Sequence, residues 1–220
     1  MSAMRATDRE LLTAPGDADL PKNAIARIGA HKFKAQRHSH YVDPSWVSER
    51  LFDVEEFSWP IWDPSCGWGR IGDAASARGG GCVSTDLIRR GYGTGGLDFL
   101  KTTKMRGGAR SIVCNPPFDL MREFAEHAIS LGAEKVAMIA LVRRLPAARW
   151  LNDTPLARVW LLTPRPSMPT GRHIRDGGKV GGGTQDFVWL VWNRGYQGSP
   201  VLKWLHRDNP TNSAVPIIPS

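Results

Sequence analysis

The run "KVAMIALV", residues 135–142, places seven apolar residues in a row after one lysine, with no polar position left to face water. A strand reads this way only when both of its faces are covered, as in the middle of a parallel sheet flanked by helices. Strand and helix signals alternate around it. "PIWDP", "CVSTDL", "GYGTGG", "ARSIVCN", "ARVWLLTP" and "DFVWLVWN" read as further strands, "GYGTGG" being the weakest. "DPSWVSERLFDVEEF" reads as a helix with Asp43 as N-cap and Pro44 at its first position, and "GRIGDAASARG" as one that ends in glycines. A third helix, capped by Asp119, sets Leu120, Met121, Phe124, Ala125, Ala128 and Ile129 on one face. The alternation predicts an α/β fold: an open, mostly parallel sheet with helices on both faces.

The chain of 220 residues is long enough for such a three-layer core. Residues 1–40 are polar and mixed and read as a flexible basic N-terminal arm. Residues 41–195 hold the periodic elements of one domain, and residues 196–220, rich in proline, read as a C-terminal extension. Between the two late strands, residues 165–185 form a Gly- and Arg-rich stretch without apolar period, the kind of long surface loop that carries function. No apolar run reaches bilayer length and "MSAMRATDRELL" lacks a signal-peptide apolar region, which predicts a cytoplasmic chain with no membrane partner. Cys66, Cys82 and Cys114 are widely spaced and read as reduced thiols; the histidines form no metal-binding pattern. Of 29 basic and 21 acidic side chains, 17 of each lie in residues 1–134, which leaves 12 basic against 4 acidic in residues 135–220. That one-sided charge suits a polyanionic partner.

"DPSCGWGRIG", residues 63–72, follows the first strand and opens a helix, with Gly67, Gly69 and Gly72 in the G-x-G-x-x-G pattern and Asp86 at the end of the second strand. Taken alone this is the dinucleotide fingerprint. Asp63 argues against a dinucleotide, because its carboxylate stands where a pyrophosphate would approach. A ligand with an ammonium and a sulfonium would be attracted there instead. S-adenosylmethionine has both, a ribose for Asp86, and a carboxylate for helix N–H groups. Asp98, in "GGLDFL", is a third acid at a carboxyl end of the sheet; it can accept from the exocyclic amine of the cofactor's adenine, with Phe99 flanking the ring, or it can cap a helix.

"CNPPF" ends the fourth strand with two rigid residues that lack N–H groups. Methylation of an exocyclic amine needs acceptors for both of its hydrogens, because the nitrogen lone pair is delocalised into the ring. Asn115 offers a side-chain carbonyl and Pro116 a backbone carbonyl; Pro117 stiffens the turn, and Phe118 offers a flat face for a base swung out of its stack. As a plain strand-terminating turn the same residues would need no neighbouring acids or glycine loop.

"DPSCGWG", "STDL", "LDFL" and "NPPF", in this order, resemble the class I S-adenosylmethionine-dependent methyltransferases that modify amino groups, and most of all the DNA adenine-N6 methyltransferases, over roughly residues 41–193. The resemblance implies a Rossmann-like seven-stranded sheet. It implies Asp63, Pro64, Ser65, Cys66, Gly67 and Gly69 at the methionine part of the cofactor, Asp86 and Leu87 at the ribose, and Asp98 and Phe99 at the adenine. Asn115, Pro116, Pro117 and Phe118 become the catalytic loop. "YVDPSWVSERL" resembles the segment that closes over the cofactor, although threonine is commoner where Asp43 stands.

The acceptor amine is adenine N6 in DNA, adenine in RNA, cytosine N4 or a protein glutamine. The charge in residues 135–220 favours nucleic acid, double-stranded DNA first, with Arg143, Arg144, Arg165, Arg172, His173, Arg175 and Lys179 as candidate phosphate contacts. No separate target-recognition domain fits after residue 40, which predicts a short or loosely read site. Two other classes stay open: an NAD-dependent oxidoreductase, and a nucleic-acid-binding protein without turnover.

Overall fold

The computed structural model describes residues 41–178 and 181–208. These form an eight-stranded sheet of β1 (Ile61–Asp63), β2 (Cys82–Asp86), β3 (Thr94–Gly95), β4 (Ser111–Cys114), β5 (Lys135–Leu141), β6 (Leu156–Thr163), β7 (Phe187–Asn193) and β8 (Val201–His206). The spatial order is β3-β2-β1-β4-β5-β7-β6-β8. Strands β1 to β5 are mutually parallel, β7 runs antiparallel between β5 and β6, and β8 pairs parallel to β6. The fold is thus the Rossmann-like, mostly parallel α/β sheet expected. Strand order reverses between β1 and β4, so their carboxyl ends open the crevice in which such sheets bind ligands.

Helices α1 (Ser45–Val54) and α2 (Arg70–Ser76) cover one face, and α3 (Met121–Ser130) covers the other. Alternate residues of each central strand feed the two layers. Ile61, Val113, Ala137 and Ile139 pack with Val47 and Leu51 of α1 and Ile71 and Ala75 of α2. Trp62, Ile112, Cys114, Val136 and Met138 pack with Met121, Phe124, Ala125 and Ala128 of α3. Val47, Leu51, Ile112 and Ile139 are wholly buried, each stabilising the fold by roughly 1.5–3 kcal/mol relative to exposure. The buried tryptophans keep their indole N–H groups bonded: Trp62 donates to Thr85 Oγ1 (2.9 Å), Trp189 to the Val47 carbonyl (3.0 Å) and Trp192 to Thr154 Oγ1 (2.9 Å). Among the described residues no helix is long and apolar enough to cross a membrane.

Several expectations are corrected. The sheet has eight strands rather than seven, and the eighth lies inside the segment read as a C-terminal extension. "GYGTGG" contributes only Thr94 and Gly95 to the sheet, because Gly91, Gly93 and Gly96 sit at positive φ and bend the chain out of extended geometry on either side. The cap of α1 is Pro44 in extended conformation, with no side-chain bond, so Asp43 is not the N-cap. Asp119 caps nothing either: residues Phe118–Leu120 form a 3-10 turn ahead of α3, whose N-cap is Leu120. The 165–185 loop gains one short helix, α4 (Gly171–Arg175), capped by Thr170 Oγ1 accepting from the His173 N–H at 3.2 Å. The N-terminal arm lies outside the described residues.

A buried charge cluster at the amino end of the sheet was invisible in the sequence. Glu55, 5% exposed, follows α1. It accepts from both Nε and Nη2 of Arg158, from Lys135 Nζ at 2.9 Å and from Trp160 Nε1 at 2.9 Å. Burial acts to raise its carboxyl, but the bonds from Arg158, Trp160 and Lys135 outweigh it and hold the group below the usual carboxylate range.

Candidate active site

Strand β1 ends in Asp63, whose side chain is 1% exposed. Asp63 Oδ1 accepts from the Ser65 N–H at 3.1 Å, which starts the turn into the glycine loop. Burial pushes this carboxyl well above the usual range, and the negative charges of Asp43 and Asp86 add to the push. Strand β2 ends in Asp86, whose two oxygens take the N–H of Gly67 (2.9 Å) and of Ile88 (2.8 Å). Arg90 Nε stands 3.9 Å from the same carboxylate. The glycine loop is therefore strung between two acids, with Cys66 N–H also donating to the Thr85 carbonyl at 3.0 Å. Pro64 is buried, and Leu87 half-buried beside Asp86.

The loop glycines have a role other than ligand approach. Gly69 is the N-cap of α2 at φ +84°, and a Cβ there would lie 2.2 Å from Tyr92 Cε2; at Gly72 a Cβ would lie 2.4 Å from Tyr92 Oη. The Tyr92 ring therefore packs directly against Gly69 and Gly72, and a side chain at either position would collide with it.

Strand β4 delivers Asn115 and the two prolines to the same edge. Ser65 Oγ donates to the Asn115 carbonyl at 3.1 Å, tying the glycine loop to the proline loop. Pro116 is buried and Pro117 exposed; the Pro117 carbonyl takes the Leu120 N–H at 2.8 Å. Burial raises the buried carboxyl of Asp43, and the nearby Asn115 side chain and Arg70 act to lower it. The Phe118 ring is half-buried, 5.8 Å from Phe187 and 5.3 Å from Tyr41 at 32°. Tyr41 is 43% exposed and bridges to Thr170, while Val42 N–H donates to the Pro169 carbonyl at 2.9 Å. Residues 41 and 42 therefore join the root of α4 to the proline loop. Tyr41 was not foreseen, since its partners lie far away in the chain.

Other expected residues fall elsewhere. Phe99 is 2% exposed and packs edge-on to Trp62 (5.2 Å) and tilted to Phe124 (4.9 Å), inside the core under α3; it does not flank a ligand. Asp98 caps the 3-10 turn Phe99–Lys101 by accepting from the Leu100 N–H at 3.2 Å, and pairs with Lys101 at 3.2 Å. The helix-cap reading of Asp98 is the one observed. Arg165 is held by both oxygens of Asp186 (2.6 and 3.2 Å), and Arg144 pairs with Asp119, so both charges already have counter-charges. Arg143 is exposed just after β5, and Arg172, His173 and Arg175 are exposed on α4, beside Tyr41 and Phe118. Lys179 lies outside the described residues.

All three cysteines are free, and burial raises each thiol, Cys82 to about 12. None is suited to act as a nucleophile.

No protein-family model matches the chain, and no curated protein matches it. Among solved structures it is similar to a candidate RNA methyltransferase from Pyrococcus horikoshii, with 14% identity, 86% of this chain and 98% of that one covered, and a TM-score of 0.49. A TehB-like SAM-dependent methyltransferase from Corynebacterium glutamicum shares 16% identity over 66% of this chain and 86% of its own, with a TM-score of 0.42. A candidate hemolysin from Lactococcus lactis is as similar in shape, with 9% identity over 74% of this chain and 90% of its own and a TM-score of 0.49. Shape likeness of this degree spans proteins of different names, and one fold hosts many functions. Function has to come from the site itself.

Proposed function

We propose that this chain is an S-adenosylmethionine-dependent methyltransferase acting on an exocyclic amino group, most specifically N6 of adenine in DNA. The observation that carries the reading is the pair of acceptors at the end of β4. The Asn115 amide and the Pro116 carbonyl follow β4, and Ser65 ties this turn to the buried carboxyl of Asp63: its hydroxyl donates to the Asn115 backbone carbonyl and its N–H to Asp63 Oδ1.

The donor groups fit such a cofactor. Asp63 is buried beside two other acids, and among the described residues no ion pair engages it, which suits an ammonium. Asp86 spends one lone pair of each oxygen on Gly67 and Ile88, leaving acceptor capacity for ribose hydroxyls. When bound, the cofactor supplies a methyl group on a sulfonium, whose carbon–sulfur bond electrons return to sulfur as the substrate nitrogen forms the new bond. The Asn115 oxygen and the Pro116 carbonyl accept the two amine hydrogens and draw the nitrogen lone pair out of the ring. The alkylated nitrogen then loses one proton to solvent. Positioning supplies most of the rate, so no group of unusual acidity is needed at the amine.

DNA is the favoured substrate because exposed Arg143, Arg172 and Arg175 lie on the edge that carries Phe118, whose ring is the stacking surface for an extruded base. The test is transfer of radiolabelled methyl from S-adenosylmethionine to unmodified double-stranded DNA, with RNA and denatured cell protein in parallel and Asn115→Ala as control. N6-methyladenine that disappears in the control is the expected result. Label in RNA or protein alone overturns the substrate, and absence of both label and cofactor binding overturns the reaction class.

A further inference from the structure

A strand at the edge of a sheet exposes a row of main-chain N–H and C=O groups, and folded proteins blunt such edges with short strands, charges or prolines. One edge of this sheet is blunted by shortness, since β3 is only Thr94–Gly95. The other edge is not. Strand β8 is six residues long, and among the described residues it pairs with β6 alone. The Arg207 N–H, just past the strand, donates to the Thr163 carbonyl at 2.8 Å. Main-chain groups of successive strand residues point to opposite sides, so the odd-numbered residues of β8 face β6. Leu202, Trp204 and His206 therefore aim their N–H and C=O groups at the open edge.

Apolar side chains flank that edge on both faces. Val159 and Leu161 pack against the core on the α3 side, and their register partners Leu202 and Trp204 share this face, each about half exposed. Val201 is about half exposed on the opposite face, which it shares with the buried Leu205. The strand's one lysine does not guard the edge, because Lys203 Nζ lies 5.4 Å over the Trp160 ring. Pro200 stands before the strand and not in it.

We propose that β8 is a self-pairing edge that joins two copies of this chain into one continuous sheet, across a two-fold axis at Trp204. An axis perpendicular to the sheet pairs the strands antiparallel and keeps like faces together. Trp204 then meets its own counterpart, Leu202 meets the partner's His206, and Lys203 meets the partner's Leu205. Every outward N–H and C=O of Leu202, Trp204 and His206 finds a partner, and no like charges stand directly opposite. Sliding the register by two residues sets Lys203 against the partner's Lys203 in one direction and the partner's Arg207 in the other, both unfavourable. A nucleic acid could stack on Trp204, but its phosphates would leave the edge carbonyls without donors, whereas a second strand satisfies both kinds of group. Strand β8 runs in the direction of β1, β4 and β5. The axis therefore turns the two carboxyl edges away from each other and leaves Asn115 of each copy open. Pairing along one strand covers less than the roughly 800 Å² per partner of a standard interface, so dissociation in the micromolar range is expected.

The experiment is sedimentation equilibrium of the full chain without nucleic acid, from micromolar to submillimolar concentration, together with amide hydrogen exchange over the same range. The mass should double with concentration. At ten times the dissociation constant, exchange at Leu202, Trp204 and His206 should slow by about tenfold, while exchange at Lys203 and Leu205, which face β6, stays constant. Trp204→Lys puts like charges on the axis and should remain monomeric throughout. Its Tm in dilute solution should stay within about 2 °C of the wild type, as for other exposed substitutions. A wild type that is monomeric at every concentration overturns the proposal, as does a dimer that persists in Trp204→Lys. Exchange at the three outward amides that is slow at every concentration also overturns it, because the edge is then covered from within one chain. Association that needs added DNA overturns it in favour of a nucleic-acid surface. If Trp204→Lys does not fold, Leu202→Lys takes its place, and the wild-type mass and exchange series decides by itself. None of these readings depends on methyl transfer.

Discussion

Replacing Glu55 by glutamine keeps the shape of the side chain and removes one buried negative charge. Four donors converge on this carboxylate, two from Arg158 and one each from Lys135 and Trp160. A glutamine offers one oxygen, and its NH2 must turn toward groups that are themselves donors. Stripping one partner from a buried ion pair costs about 3–5 kcal/mol. Here the side chains of Arg158 and Lys135 are 23% and 18% exposed, so both recover some hydration. Trp160 is 3% exposed and recovers none. The expected loss therefore lies near the lower end, about 3 kcal/mol, which for a domain of this size is a fall in Tm of roughly 6–12 °C. The group's folded pKa is lowered, so its contribution is present above the unfolded value and disappears as pH falls through the folded one. Urea unfolding of the wild type and Glu55→Gln at pH 7.5 should differ by that amount, and the difference should shrink toward pH 3. The cluster sits at the end of the sheet opposite Asp63 and Asn115, so S-adenosylhomocysteine affinity should not move. A difference below about 0.5 kcal/mol at neutral pH, the level of an ordinary surface substitution, would refute the claim that this cluster holds α1 to β5 and β6.

Further outcomes follow from the site. Burial raises the Asp63 carboxyl and an ammonium beside it favours release of its proton; the affinity for S-adenosylhomocysteine should therefore strengthen as pH rises through the Asp63 titration, with proton release in calorimetry, and Asp63→Asn should abolish both. By the same sign, the empty protein should lose Asp63's share of stability as pH rises through that folded pKa. Tyr41 covers the Phe118 face that a base would need. Losing a ring contact of about 0.5–1.5 kcal/mol, Tyr41→Ala should lower the KM for DNA by roughly 2–10-fold, whereas a rise would make Tyr41 a stacking partner of the base. Arg172→Ala and Arg175→Ala should each reduce the salt slope of DNA binding by about one, whereas Arg165→Ala, which removes a charge already held by Asp186, should reduce it less. The buried, raised thiols of Cys66 and Cys114 should resist iodoacetamide at pH 8 until the chain unfolds; rapid labelling of Cys66 would contradict its packing.

The parts of the fold that were legible in the sequence are those whose signal is local. "KVAMIALV" is buried on both faces because nothing in it can face water, and "DFVWLVWN" reads the same way. The eighth strand was missed because "VLKWLH" at the sheet edge buries only Leu205 and leaves Val201, Leu202 and Trp204 about half exposed, so no face shows in its pattern. Pro200 before it and Pro210, Pro216 and Pro219 after it also read as a tail. Glu55 escaped for a different reason: at the end of an amphipathic helix it looks like any solvated acid, and its partners are on β5 and β6.

The same distinction divides the site. Asp63, Asp86 and Asn115 are placed by strand ends, and a strand end is visible in one sequence. Phe99 was misplaced because the capping bond from Leu100 to Asp98 starts a turn that rolls the ring inward, against Trp62. Asp43 shows the limit most clearly. In "VDPSW" an aspartate before proline carries every mark of an N-cap, and the chain buries it instead, with Pro44 taking the cap position. A cap would be satisfied by the N–H groups of its own helix, whereas this carboxyl meets the Ser48 hydroxyl of α1 at 3.5 Å. Burying a third carboxyl beside Asp63 and Asp86 works against stability, so the local signal for a cap gives way to packing around the whole strand-end cluster.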